Sequence, residues 1–131
     1  TGPYHCFAST TPIDEQFAWL QRTAPAYLTA RAAVLDHLAF AARDLGPLRL
    51  AGMLAIADEV TPGMRQRIED SFGAPLHQNY GLNEFGLVAV RCAAGGRYHV
   101  HAEHCVHEIV DESGAPCRAG ERGRLLLSCL S

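Results

Sequence analysis

The chain has 131 residues, enough for one compact domain, and its 48% hydrophobic and 19% charged residues are typical of a globular protein. A net charge of −3 excludes the basic field that attracts nucleic acid or anionic membranes, so we expect neither as a partner. Lysine is absent, so arginine supplies every positive charge, and the longest apolar stretch is too short to cross a bilayer.

The front half of the sequence alternates helical and strand patterns. Apolar spacing predicts a short helix capped by Asp14, and a second helix over 32–45. Thr61, followed by proline, predicts the N-cap of a third helix that ends at Gly73. The short apolar segments between these helices are predicted strands, over 26–29, 48–56 and 76–80. Such alternation is typical of parallel βαβ units.

After Gly86 the pattern changes to short strands separated by polar or glycine-rich turns. The predicted strands are 87–92, 97–101, 105–110 and 124–128, with hairpin turns at 93–96 and 111–114. The fold class predicted is therefore α/β, with parallel βαβ units over 1–86 and a mostly antiparallel β region over 87–131.

The five cysteines are odd in number and irregularly spaced, unlike the disulfide framework of a small secreted domain. We therefore expect reduced thiols and a cytoplasmic location. Several of them lie among histidines, and sulfur with imidazole is the ligand set that Zn²⁺ prefers. A structural zinc site is one hypothesis, and exposed histidines on a hairpin are the other. The candidate ligands are Cys92, His99, His101, His104 and Cys105.

The segment 78–86 lies where the last predicted parallel strand ends, and ligands of open α/β sheets bind at the carboxyl ends of strands. Its Tyr80 offers a flat ring for stacking, and Glu84 offers an oxygen ligand suited to Mg²⁺. Gly81 permits close backbone approach. On these residues alone, a ligand site and a simple turn after a strand are equally consistent with the pattern.

Residues 78–86 (QNYGLNEFG) resemble the YG-x-[TS]-E core motif of adenylate-forming enzymes. Upstream, residues 57–65 resemble the segment that follows the preceding strand in phenylacetate–CoA ligases and coenzyme F390 synthetase-like proteins. Downstream, 107–111 and 120–127 resemble two strands of the same branch. The resemblance covers nearly the whole chain in order, and implies an internal fragment of the N-terminal AMP-binding domain.

This resemblance implies a two-step reaction, in which a carboxylic acid becomes an acyl-adenylate with ATP and Mg²⁺, and a thiol, usually coenzyme A, then displaces AMP. It implies that Tyr80 stacks on adenine and that Glu84 reaches Mg²⁺ or the phosphates. Gly81 and Leu82 would line the acyl or nucleotide pocket. Asn83 stands where the family usually has threonine or serine, and its amide can still donate a hydrogen bond to the α-phosphate.

Two further residues are candidates for nucleotide contacts. Asn79, just before the motif, offers a polar contact to the base. Glu59, at the end of the preceding strand, could face the nucleotide, or could belong to a solvated pair of acids at a helix entry.

Nothing in the sequence matches three parts that the resemblance calls for: the phosphate loop, the ribose-binding aspartate and the catalytic lysine. We therefore expect this chain alone to be inactive. A partial sheet would leave apolar surface uncovered, so we also expect self-association, as in a dimer. The alternatives are a non-catalytic oligomerisation or regulatory module that kept the fold, and a small zinc-binding domain.

Overall fold

A computed structural model describes residues 2–8, 10–94 and 96–129 of the chain. The chain divides into two compact units, Thr1–Gln78 and Asn79–Ser131. Among the described residues there are three helices, α1 Ile13–Thr23, α2 Ala32–Leu45 and α3 Pro62–Phe72. The strands are β1 Tyr27–Arg31, β2 Gly52–Ile56, β3 Leu76–Leu82, β4 Gly86–Arg91, β5 Tyr98–Val100, β6 Cys105–Val110 and β7 Arg124–Cys129.

The first unit has a parallel sheet made by β1, β2 and the beginning of β3. Its register places Tyr27 opposite Gly52 and Met53 opposite Leu76. Helices α1, α2 and α3 bury one apolar face each in a single core with these strands. The fully buried side chains of that core include Phe17, Leu35, Leu38, Ile68 and Phe72.

Helices α2 and α3 confirm their predicted bounds. In α2 the three- and four-residue spacing of apolar residues buries Leu35, Leu38 and Ala39. In α3 the Thr61 hydroxyl accepts a hydrogen bond from Met64 N at 3.3 Å, as an N-cap should. Gly73 ends that helix with a φ of 63°, a left-handed conformation that glycine adopts without strain.

Two local predictions were wrong. The N-cap of α1 is Pro12, without a side-chain hydrogen bond, and Asp14 lies inside the first turn, where its charge still complements the helix dipole. The strand predicted over 48–56 begins only at Gly52, because pairing with β1 begins there. Leu48 is buried all the same, so burial explains its apolar character without strand pairing.

The second unit contains an antiparallel sheet of β3, β4 and β5 and a separate antiparallel ribbon of β6 and β7. Strand β3 begins in the first unit and continues into the second, which gives the order β1-β2-β3-β4-β5. The parallel front and antiparallel back confirm the predicted fold class. Gly95, in the predicted turn 93–96, lies outside the described residues. In the described part of the chain, no helix combines the length and apolarity needed to cross a bilayer.

Candidate functional site

In the first unit, the carboxyl ends of β1 and β2 carry an ion pair. Strand β1 ends at Arg31, opposite Ile56, the last residue of β2. Ala57 follows with a φ of 67°, which is rare for a residue with a Cβ and marks a tight change of direction. Beyond it, Asp58 accepts two hydrogen bonds from Arg31, from Nη2 to Oδ1 at 2.6 Å and from Nε to Oδ2 at 3.2 Å.

Asp58 also lies at the N-terminal end of α2, where Ala33 N donates to its Oδ2 at 3.5 Å. The hydrogen bonds from the Arg31 guanidinium, joined by that amide, lower the pKa of the Asp58 carboxyl. Asp58 is therefore ionised at neutral pH and committed to tying the end of β2 to the start of α2. Glu59, the next residue, is exposed, so it is the carboxylate of this pair that faces solvent.

In the second unit, the motif forms the end of β3, a tight turn and the start of β4. Tyr80 lies opposite Ala89, and the register then shifts between Tyr80 and Gly81, so that Gly81 lies opposite Leu87. Such a bulge increases strand twist and redirects the side chains beside it. The turn closes with Phe85 N donating to Leu82 O at 3.2 Å.

Glycine is required at the two glycine positions of the motif for different structural reasons. A Cβ on Gly81 would lie 3.0 Å from Gly86 O, so glycine permits the close approach of the two strands. Gly86 has a φ of 67°, a conformation that side chains disfavour, and it starts β4 directly after the turn. These requirements explain both glycines without any ligand.

Three side chains of the motif, those of Tyr80, Asn83 and Glu84, are open to solvent, whereas Gln78 at its start is buried. Tyr80 is 42% exposed, which is high for a large aromatic ring. Asn83 and Glu84 are exposed in the turn, and Leu82 and Asn79 are partly buried on β3. One hairpin thus brings together six of the seven predicted residues, and the seventh, Glu59, belongs to the first unit. The six are Asn79, Tyr80, Gly81, Leu82, Asn83 and Glu84.

The histidines and cysteines of the predicted zinc site do not form a ligand set. His99 lies on β5 opposite Val90, whereas His101 O accepts hydrogen bonds from the amides of His104 and Cys105 in a tight turn. The sulfur of Cys105 instead lies 3.6 Å from Nε2 of His107. Across the described ranges, no three His, Cys, Asp or Glu side chains converge where a metal ion could sit. The zinc hypothesis is therefore not supported.

Two features of the first unit were missed from the sequence. Arg31 and Asp58 are 27 residues apart, and only the β1–β2 register shows that they meet. The second is a cavity of about 260 Å³. Its lining is mostly apolar, with the Arg31 side chain among it, and includes Phe7, Trp19, Leu28, Val34 and Leu38. No sequence signal distinguishes the apolar residues that line a cavity from those of a filled core.

Comparison with solved structures gives close matches over nearly the whole chain. The open conformation of 2-hydroxyisobutyryl-CoA ligase, in complex with 2-HIB-AMP and CoA, superposes with a TM-score of 0.76 and 19% identity, over 98% of this chain and 32% of that one. The chain has the fold of one part of such ligases. A long-chain-fatty-acid–CoA ligase from Archaeoglobus fulgidus matches with a TM-score of 0.68 and 13% identity, over 90% of this chain and 27% of that one.

A third match is the amide bond synthetase McbA from Marinactinospora thermotolerans, with a TM-score of 0.69 and 22% identity, over 90% of this chain and 26% of that one. No protein-family model and no curated protein matches the sequence. The chain spans about a third of the length of the first of these solved structures, and less of the others. At these identities the likeness establishes the fold.

Proposed function

We propose that this chain is the nucleotide-side part of an adenylate-forming acid–thiol ligase, of the phenylacetate–CoA ligase-like branch, and that its β3–β4 hairpin binds AMP. The observation that supports this most is the exposed ring of Tyr80 beside a bulge, followed by Asn83 and Glu84 in one short turn. The same fold occurs in a ligase solved with an acyl-adenylate and CoA. The parent reaction would use ATP, Mg²⁺ and coenzyme A on a small carboxylic acid.

Each side chain of the hairpin has a role that its chemistry permits. The ring of Tyr80 offers a face for adenine, and Asn79 lies one residue before it on the same strand. The Asn83 amide would donate to the α-phosphate. The backbone at Gly81, where β3 and β4 approach closely, and the adjoining Leu82 would line the pocket.

The carboxylate of Glu84 would serve the metal. Mg²⁺ in nucleotide sites is commonly held by one or two carboxylates together with substrate phosphates, so a single exposed Glu84 fits that arrangement. Glu59 is a second exposed carboxylate, placed after β2 in the first unit, and we propose it as a further nucleotide contact. The bound metal would offset the negative charge that develops on the phosphate during adenylate formation.

We expect binding rather than turnover from this chain. It contains no lysine, and the resemblance assigns a catalytic lysine to the parent reaction. Its cations are arginines, and Arg31, the one at the end of β1, already pairs with Asp58. The cytoplasmic location expected from the cysteine pattern is part of this proposal.

Calorimetry with AMP tests the proposal directly, with Tyr80→Ala as the variant. Loss of base stacking should weaken AMP binding by about tenfold to a hundredfold, since one stacked base contributes roughly 1–3 kcal/mol. The matched control is Tyr98→Ala, because Tyr98 is a tyrosine of the same unit with 43% exposure. Glu84→Gln should remove the benefit that Mg²⁺ gives to ATP binding and leave AMP binding nearly unchanged.

Two results would contradict the proposal: no AMP binding by the unaltered chain at millimolar nucleotide, or equal weakening of AMP binding by Tyr98→Ala.

The alternative, a non-catalytic oligomerisation module, is favoured by one observation. The ribbon of β6 and β7 exposes four apolar side chains by 37% to 43% each, namely Val106, Ile109, Leu125 and Leu126. Sedimentation of a stable dimer that does not bind AMP would favour that alternative.

A further inference from the structure

Two cysteines face each other across the β6–β7 ribbon. Cys105, the first residue of β6, lies directly opposite Cys129, the last residue of β7. In antiparallel pairs, opposite residues project from the same face of the sheet, so the two side chains share one face. Nothing in the composition or spacing of the cysteines pairs these two, because the pairing depends on the register.

The type of pair follows from a hydrogen bond further along the ribbon. Ile109 O accepts from Cys117 N at 2.8 Å, so the Ile109 carbonyl points away from β7. Ile109 therefore belongs to a non-hydrogen-bonded pair with Leu125, and such pairs recur at every second residue. Cys105 is four residues before Ile109, so Cys105 and Cys129 also form a non-hydrogen-bonded pair. The Cys105 amide agrees, because it donates to His101 O instead of β7.

This geometry suits a disulfide. Opposite residues of a non-hydrogen-bonded pair have Cα atoms about 4.5 Å apart, the closest approach in an antiparallel sheet. A disulfide needs Cα atoms between about 4.4 and 6.8 Å apart, with both Cβ atoms on the same side. The backbone of the ribbon therefore meets the main requirement without rearrangement.

The two cysteine sulfurs differ in solvent exposure and in their neighbours. Cys129 is exposed at the edge of the ribbon, whereas Cys105 is buried with 2% exposure. The Cys105 sulfur lies 3.6 Å from Nε2 of His107, two residues along the same face. An imidazole at that distance can take the thiol proton as the sulfur becomes a nucleophile.

We propose that Cys105 and Cys129 form a thiol–disulfide switch, with a low-molecular-weight disulfide such as oxidised glutathione as the oxidant. The exposed Cys129 thiolate attacks one sulfur of the small disulfide, which forms a mixed disulfide and releases the first small thiol. Cys105 then passes its proton to His107 and attacks the Cys129 sulfur, which releases the second small thiol and forms the cross-strand bond. The protein loses two hydrogens, and the oxidant gains them as two thiols.

The proposal goes beyond nucleotide binding and does not depend on it. Closing the bond would lock the register of a ribbon that has only two strands, a type of sheet that is marginal without further support. The register decides which side chains of β7 lie opposite those of β6, so an oxidised ribbon would keep one arrangement of the side chains on each of its two faces.

Equilibration of the chain in glutathione buffers of graded potential, followed by mapping of the disulfide, tests the switch. Proteolysis after Glu108, Glu112 and arginine separates the peptides that carry Cys105, Cys117 and Cys129. We expect one dominant crosslinked pair, between the peptides of Cys105 and Cys129, with a mass lower by two hydrogens. Cys117→Ser should leave its yield unchanged, and His107→Gln should slow its formation several-fold without changing the peptides joined.

A repositioned thiol is the matched control. In the double variant Cys129→Ser, Leu127→Cys the thiol moves two residues along the same face of β7, diagonal to Cys105. Diagonal neighbours lie roughly 7–8 Å apart, beyond easy disulfide reach, so the crosslink should fall at least tenfold. Equal crosslinking in this variant would overturn the proposal. So would crosslinks in the unaltered chain that mainly join Cys117 or Cys6, or no crosslink at any potential.

Discussion

The α/β part of the first unit and the β6–β7 ribbon of the second are stabilised in different ways. The first buries side chains from three helices and the parallel strands in one core, so that Phe17, Leu35 and Ile68 have no exposed surface. In the ribbon only Cys105 and Val110 are buried, and no residue of β7 is. Packing therefore holds the first region, whereas ladder hydrogen bonds and turn geometry carry most of the second. We therefore expect the same kind of substitution to have different effects in the two regions.

The largest expected effect is the loss of a core side chain in the first unit. Leu35→Ala removes a fully buried side chain of α2, and such truncations cost about 2–5 kcal/mol of stability. Urea unfolding followed by Trp19 fluorescence measures this cost. Trp19 is the only tryptophan, and it packs against the same core.

The matched substitution in the ribbon is Leu126→Ala, at a leucine with 40% exposure on β7. Its expected cost is small, about 0.5 kcal/mol, because a large part of the residue is already exposed to solvent. Equal losses of unfolding free energy in Leu35→Ala and Leu126→Ala would contradict this contrast. They would mean that Leu126 is buried in solution by contact with another surface.

The second prediction concerns Gly123, in the loop before β7. A Cβ there would lie 2.6 Å from Cys117 Sγ and 2.9 Å from Ile109 Cγ2, and would press on Val110 O. Backbone and side-chain atoms from two directions cannot all move aside, so Gly123→Ala should destabilise the ribbon by about 1–3 kcal/mol. Faster hydrogen exchange of β6 and β7 amides, by roughly tenfold or more, would measure it.

Gly63→Ala supplies the control in the first unit. Nothing lies within 4 Å of a Cβ at Gly63, in the first turn of α3, so alanine fits there. Because alanine restricts the unfolded chain and favours helix, this change should be neutral or stabilise by up to about 1 kcal/mol. If Gly123→Ala left the hydrogen exchange of the β6 and β7 amides unchanged, the prediction would be wrong. The atoms around position 123 would then move enough to accommodate a Cβ.

The smallest expected effect is a pH dependence of the first unit. The pKa of Asp58 is lowered by its bonds to Arg31, so its contribution to stability is present above the usual carboxyl range. That contribution should be lost as the pH falls through the lowered pKa of the folded state. Asp58→Asn and Arg31→Gln should therefore both flatten the acid side of the urea-midpoint profile, read by Trp19. An unaltered acid limb in both variants would contradict this origin.

Local signals predicted much of the fold. The spacing in 32–45 predicted α2 to the residue, and Thr61 with the following proline predicted the start of α3, because caps and periodicity act over a few residues. The start of β2 was missed, since Leu48 is buried without pairing and burial alone cannot distinguish the two cases.

In the candidate site too, some contacts could be predicted from the sequence and others could not. The six residues of the hairpin are contiguous in sequence, so their proximity could be predicted directly from the motif. Partners that depend on register could not be predicted. The Arg31–Asp58 pair needs the β1–β2 alignment, and the pairing of Cys105 with Cys129 needs that of β6 and β7. The zinc hypothesis is not supported in the described part of the chain, because nearness in sequence did not bring three of those side chains together.

A titration with AMP, followed by amide resonances in nitrogen-15 NMR spectra, tests the central claim most directly. We expect progressive shifts concentrated in residues 79–86, with the largest changes beside Tyr80 and in the Asn83–Glu84 turn, and much smaller ones in the β6–β7 ribbon. No shifts at millimolar AMP, or shifts confined to residues outside 79–86, would contradict it.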